Sequence, residues 1–289
     1  MKIGAIYPQI ELKGDPEAVR RIGLAVEEMG FDHLLVYDHV VGAVHEGREP
    51  RLTGPYNEKD PFHDPFVMFA YLAGITKKIE LVTGILILPQ RQTVLVARQA
   101  ADLDLLSNER FRMGIGIGWN PVEYEVLGQD FSTRGKRSEE QIELLRTLWR
   151  EPVTSFDGSF DKVDRAALNP RPKRQIPIWI GGFADVALKR AAKIGDGFMF
   201  ADGAGDAFAQ IATLKGFLKE EGRSIDGFGL QNNMLKAKGA DQVVETALRW
   251  RDVGGTHIGI NTMSMGLTTI DQHVDYLKTC LDALAKAGL

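Results

Sequence analysis

The chain has 289 residues, 44% hydrophobic and 26% charged, a balance that can bury one large core and suits a single α/β domain over residues 1–289. Its net charge of -4 excludes a general nucleic-acid binder, and the basic run 165–174 does not rescue that idea because Pro170 and Pro172 break it. One cysteine, Cys280, excludes a disulfide framework and a thiolate metal site; no apolar run is long enough to span a membrane, and Met1 leads into a strand without a signal peptide, so the expected compartment is the cytoplasm.

Short apolar strands and amphipathic helices alternate along the chain. A strand over 3–7 stops at Pro8; Asp15 and Pro16 then supply an N-cap and first helical residue, and Gly30 the C-cap. The second strand, 33–37, delivers Asp38 and His39 at its carboxyl end. Residues 40–64, rich in glycine and proline, read as a long loop of the kind that usually carries function. A helix over 65–75 leads to an apolar, β-branched run, 79–89, that reads as one strand buried on both faces. A helix over 93–106, with Val94, Ala97, Ala101 and Leu105 at helical spacing, joins it to a fourth strand at 111–117 by a parallel right-handed crossover.

An irregular piece runs to Arg134 and a helix follows over 135–149 with Ile142, Leu145 and Leu148 on one face. Residues 153–160 read as a small hairpin turning at Asp157-Gly158. Strands at 178–180, 198–200, 228–232 and 257–260 alternate with helices at 184–194, 208–220, 243–252 and 270–287. Eight strands alternating with helices predict a single (β/α)8 TIM barrel, with loop insertions after strands two and four and the hairpin as an excursion.

Barrel chemistry sits at the carboxyl ends of the strands. Asp38-His39 stands at one such end; as an isolated dipeptide it is a turn pair, but histidine there is also the side chain best suited to give or take a proton near neutral pH. Gly84, inside a buried strand, marks a bulge or a close backbone approach. Gly114, Gly116 and Gly118 lack the G-x-G-x-x-G spacing of a dinucleotide fold, so they either make room for a planar ring or pack tightly inside the barrel. Gly181-Gly182-Phe183 precedes a helix, where free backbone N–H groups and the helix dipole attract a phosphate. His33, His257 and His273 form no metal-ligand spacing, His45 and His63 lie in the long loop, and Tyr7-Pro8-Gln9 replaces the His-x-His of many metal-dependent barrel hydrolases.

The runs 83–91 and 97–107, then Gly114 to Trp119 with Glu123, resemble the luciferase-like flavin and deazaflavin oxidoreductases, most of all the group dependent on coenzyme F420; the match extends over residues 30–198. The resemblance implies that His39 is the acid/base or a substrate anchor and that Asp38 orients the site. It also implies that Thr83, Gly84 and Ile85 carry a non-proline cis peptide pressed against the cofactor ring, with Gly116 nearby. Gly181, Gly182 and Phe183 would hold the cofactor phosphate, Glu123 and Tyr124 would either make polar contacts or cap the following turn, and the chain would form a homodimer through helices near residues 79–124. The sequence departs from the pattern at Trp119, where F420-dependent sugar-phosphate dehydrogenases place a catalytic glutamate, and at Ala43, where several F420 dehydrogenases carry tryptophan. The implied activity is F420-dependent hydride transfer with a small organic substrate. The alternatives are an FMN-dependent monooxygenase fed by a partner flavin reductase, and a non-catalytic flavin-binding barrel. A metal- or phosphate-site lyase would need a lysine or paired carboxylates at strand ends, which are absent.

Overall fold

The computed structural model describes residues 1–203 and 205–289. Strands β1 (Lys2–Ile6), β2 (His33–Val36), β3 (Glu80–Thr83) and β5 (Phe111–Gly116) lie side by side in parallel, with β4 (Leu86–Ile87) continuing the line of β3. The order continues through β8 (Ile178–Gly181), β9 (Gly197–Ala201), β10 (Gly229–Met234) and β11 (His257–Ile260), which pairs back with β1. Because β3 pairs with both β2 and β5, the sheet has no free edge: it is a closed eight-stranded parallel barrel.

Helices α1 (Pro16–Met29), α2 (Pro65–Ile75), α3 (Thr93–Leu106) and α5 (Arg134–Arg150) surround its first half; α6 (Asp185–Ile194), α7 (Ala207–Glu220), α8 (Ala240–Asp252) and α9 (Ile270–Lys286) surround the second. Local chemistry fixes their starts. Asp15 accepts from the Glu17 N–H, Asp64 from those of Phe66 and Val67, and Thr269 forms a capping box with Gln272; each such cap is worth about 1 kcal/mol. Gly30 closes α1 at φ 90°, a backbone region that penalises any side chain.

The apolar core has two parts. The larger lies between strands and helices; the smaller, inside the barrel, holds Ile6, Leu35, Val82, Trp179, Met199 and Met263. Below that layer, at the amino end, the interior is polar: Arg112 is bound to Glu80 (2.9 Å) and Gln231 (2.9 Å) and stacks on Trp179 at 4.0 Å. His33 is fully buried there, and its ring occupies the space a side chain at Gly4 would need.

Four local expectations change. The run 79–89 is two strands, broken at Gly84-Ile85, whose peptide bond is cis, and it ends in a 3-10 turn at Leu88–Gln90. A short helix, α4 (Pro121–Val126), capped by Asn120, occupies the piece read as irregular. The hairpin is β6 (Thr154–Asp157) with β7 (Lys162–Ala166), and its turn is longer than two residues because the Glu140 carboxylate accepts the N–H groups of Ser159, Phe160 and Asp161. On α3, Val94 faces outward while Val96, Ala100 and Leu103 join Ala97 and Ala101 in the core. No helix among the described residues is long and apolar enough to cross a membrane.

Candidate active site

A cavity of about 530 Å³ opens at the carboxyl ends of the barrel strands. Its floor is the bulge between β3 and β4. A Cβ on Gly116 would come within 2.5 Å of Ile85 Cδ1, and one on Gly181 within 2.6 Å of Ile85 Cγ2. The strand glycines therefore exist to seat Ile85, and Gly114 likewise lets the Thr83 carbonyl and Met199 approach. Gly114 and Gly116 provide tight packing, while Gly116 and Gly118 also line the cavity, and the platform between them is an apolar side chain.

One rim is built by β2 and the loop after it. His39 Nδ1 stands 3.1 and 3.3 Å from the two oxygens of Glu123, and the Val40 N–H donates to the same carboxylate at 3.1 Å. A carboxylate only accepts, so Nδ1 carries a proton and Nε2 is the nitrogen left for the cavity. Tyr56, Phe62 and Trp119 surround the imidazole, with centroids 5.0, 4.8 and 6.0 Å away. Burial pushes the Tyr56 phenol up to about 12, so it stays a neutral donor. Gly54 lies against Trp119, where a Cβ would fall 2.0 Å from the ring, so the loop takes this path only without a side chain there, and its Pro55 and Tyr56 line the cavity.

Asp38 is buried and both its oxygens are committed, one to the Ile87 N–H (2.9 Å) and one to Arg91 (2.8 Å), which also holds Asp64 at 3.0 Å. Burial raises its pKa against the opposing pull of Arg91. The aspartate fixes the far end of the bulge through Ile87 and the start of α2 through Arg91 and Asp64.

The opposite rim belongs to β8 and α6. Gly181, Gly182 and Phe183 line it; among the described residues nothing accepts from the N–H groups of Phe183, Ala184, Asp185 or Val186, and α6 has no side-chain cap. Two guanidiniums face this rim. Arg190, 6% exposed, is held by Glu139 at 3.1 Å, and Arg134, first residue of α5, stacks on Phe131 at 3.7 Å with no carboxylate partner among the described residues. Four N–H groups without a partner among the described residues, a helix N-terminus and two guanidiniums are groups that could hold an anion, while Asp185 in the first turn of α6 opposes one.

The sequence-derived residues thus divide. Asp38, His39, Gly84, Ile85, Gly116, Gly181, Gly182 and Phe183 line the cavity. Three do not. Thr83 turns its hydroxyl to the Gly114 carbonyl (2.7 Å) and ties β3 to β5. Tyr124 is buried behind the site, donating to the Ile117 carbonyl at 2.6 Å and packing on Phe131. Glu123, fully buried, is the partner of His39, so its contact is with the proton-carrying side chain. The sequence alone does not single out Arg134, which stands at the end of the piece read as irregular, or Arg190, one charge within the helix over 184–194, and no local motif joins them.

The family model for luciferase-like monooxygenases matches residues 4–250. The chain belongs to the luciferase-like monooxygenase family. An uncharacterized protein of Mycobacterium tuberculosis is 32% identical over 76% of this chain and 81% of that one. The pyrimidine monooxygenase RutA of Allorhizobium ampelinum is 31% identical over 57% of this chain and 47% of that one. The F420-dependent glucose-6-phosphate dehydrogenase of Amycolatopsis mediterranei is 30% identical over 66% of this chain and 55% of that one. Among solved structures, the monooxygenase RslO1 of Streptomyces bottropensis superposes with TM-score 0.81 at 16% identity over all of both chains. An F420-dependent secondary alcohol dehydrogenase bound to an F420-acetone adduct superposes with TM-score 0.80 at 17% identity over 98% of both. At those identities the structures support the barrel fold alone. As a luciferase-like protein the chain falls among flavin- and deazaflavin-dependent oxidoreductases and monooxygenases.

Proposed function

We propose that this protein is an oxidoreductase that binds coenzyme F420 and moves a hydride between its deazaflavin ring and a small organic substrate. The observation that carries the reading is the layout of one cavity: a phosphate cradle at β8, a proton-carrying imidazole at β2, and the Ile85 platform between them. The bound ring supplies the hydride chemistry; the chain contributes position, an apolar enclosure and a proton. Gly181, Gly182 and the first turn of α6 would hold the phosphate with Arg190 and Arg134. Ile85 would support the ring from below. Held by Glu123, His39 exchanges a proton through Nε2 with the substrate oxygen, and Asp38 keeps the bulge in place.

A second reading has a specific observation behind it. Trp119 stands where F420-dependent sugar-phosphate dehydrogenases carry a glutamate, and RutA is a monooxygenase. FMN with oxygen and a partner reductase is therefore the alternative. Equilibrium binding of F420 and FMN to the purified protein, followed by fluorescence, separates the two. Tighter binding of F420 supports the proposal, and tighter binding of FMN replaces it.

The outward faces of α2 and α3 carry Val67, Tyr71, Ile75, Val94, Leu95 and Leu106, all exposed, and the two helices are neighbours. This apolar face is the proposed homodimer contact. Tyr71→Glu combined with Leu95→Glu should give a monomer by sedimentation velocity; an unchanged dimer would place the contact elsewhere.

A further inference from the structure

The cavity has two chemically different ends, and the barrel order separates them. Going round from β2, β3 and β5 intervene before β8, so His39 and Gly181 face each other across the mouth. Among the described residues the two guanidiniums that line the cavity, Arg134 and Arg190, belong to the β8 end: Arg190 lies on the helix after that strand, and a Cβ on Gly135 would fall 3.1 Å from its Nη2. At the β2 end the one lining carboxylate among the described residues, Asp38, has both oxygens occupied. What remains there is a box of aromatic rings from Tyr56, Phe62 and Trp119 around a single imidazole.

Resting on the functional reading above, we infer that the β2 end takes a neutral, flat, mostly apolar carbonyl compound or its alcohol: the carbonyl oxygen accepts from His39 Nε2–H when the ring is the imidazolium, and the alcohol donates to Nε2 when the ring is neutral. Phosphorylated or carboxylated substrates and amines are rejected. A phosphate or carboxylate placed there would leave water and find, among the described residues, no free guanidinium or ammonium, because the two guanidiniums that line the cavity serve the cofactor end, and the His39 imidazolium would be its single partner. An amine would find no free carboxylate among the described lining residues. A planar apolar ring loses little on desolvation and gains contact with the Tyr56 and Trp119 rings that line the cavity. The Gly54 backbone lies against Trp119, so a side chain at this position would displace that ring.

The test uses a matched pair of probes, 1-indanone and indane-1-carboxylate, in equilibrium dialysis against the protein saturated with whichever oxidised cofactor binds. The ketone should be retained and the carboxylate should bind at least ~10-fold more weakly, the cost of an unpaired buried charge. Trp119→Ala should weaken the ketone about 10-fold, as expected for losing a central aromatic anchor, while cofactor affinity measured separately stays within about 2-fold. Equal or tighter binding of the carboxylate, or of glucose 6-phosphate, would overturn the inference. So would a cofactor-loaded protein that retains no ketone, a result that leaves the cofactor reading standing. Failure of both F420 and FMN to bind would instead overturn that reading and this inference with it.

Discussion

Replacing Glu123 by glutamine keeps the volume of the side chain and removes its charge. The native carboxylate accepts from three donors: His39 Nδ1 at 3.1 Å, the Val40 N–H at 3.1 Å and Gln90 Nε2 at 3.4 Å. A glutamine has one oxygen, and its amide nitrogen would have to face one of those donors or bond to a deprotonated Nδ1. Either outcome weakens the hold on the Nδ1–H form and on the imidazolium that donates a proton from Nε2. A hydrogen bond to a charged group is worth about 1.5–3 kcal/mol in place, and a tenfold rate change corresponds to about 1.4 kcal/mol. Losing that share in the protonated state should lower turnover by about 10- to 150-fold, with cofactor affinity changed less than about 2-fold because Glu123 does not line the cavity. Nitrogen-15 NMR of the imidazole reads the same event without a substrate: one tautomer with Nδ1 protonated in the native protein, a mixture in Glu123→Gln. An unchanged tautomer together with an unchanged rate would refute the role given to this pair.

Gly181→Val should drive Cβ into Ile85 Cγ2, now 2.6 Å from that position, displacing the platform and weakening cofactor binding at least ~10-fold at a stability cost of about 1–3 kcal/mol. Fluorescence titration and thermal melting read the two effects, and native affinity in this variant would contradict the platform. Arg91→Met leaves the buried Asp38 charge without its partner, so a loss of about 3–5 kcal/mol in urea unfolding is expected at pH 7. A loss below about 1 kcal/mol would mean that Asp38 holds Ile87 unaided. Burial pushes His257 down to about 3 and His273 to about 4, and holds His33 well below its ordinary value. The unfolded chain then binds protons first as pH falls, so the stability these neutral rings contribute is complete above about pH 6.5 and is lost between there and their folded values. Urea midpoints should fall steadily below pH 6.5, less steeply in His257→Gln; identical slopes would exclude that histidine.

The barrel was legible because its signals are local and redundant. Asp64-Pro65 and Asp15-Pro16 each place a cap and a first helical residue side by side, and the strands buried on both faces read as unbroken apolar runs. The same property hid the break at Gly84-Ile85, since both halves of the run are equally apolar and only the three-dimensional fit of Ile85 between Gly116 and Gly181 separates them. Asp157-Gly158 carries the signature of a two-residue turn, yet a glutamate on α5, distant in sequence, outbids it with three backbone hydrogen bonds. Asn120-Pro121 carried a helix-start signal as clear as the other two and marks α4.

In the site, Asp38, His39 and the glycines stand at strand ends, where position alone draws attention. The role of Glu123 depends on a fold that brings it to His39 across 84 residues, and Arg190 meets the cavity only because β8 and α6 turn it inward. Helical spacing groups Val94 with Ala97, Ala101 and Leu105, yet Val94 is exposed; the outer faces of α2 and α3 are apolar too, so periodicity on α3 does not tell inside from outside.

The central claim is that one cavity holds the cofactor with its phosphate at Gly181-Gly182 and its ring on Ile85. The most direct test is a fluorescence titration of native protein and Arg190→Met with F420 and its phosphate-free deazaflavin riboside, and with FMN and riboflavin. The account predicts that the native protein prefers the phosphorylated form of its cofactor by at least ~10-fold, and that Arg190→Met removes most of that preference while leaving the riboside affinity within about 2-fold. Binding indifferent to the phosphate, or a preference that survives in Arg190→Met, would contradict it.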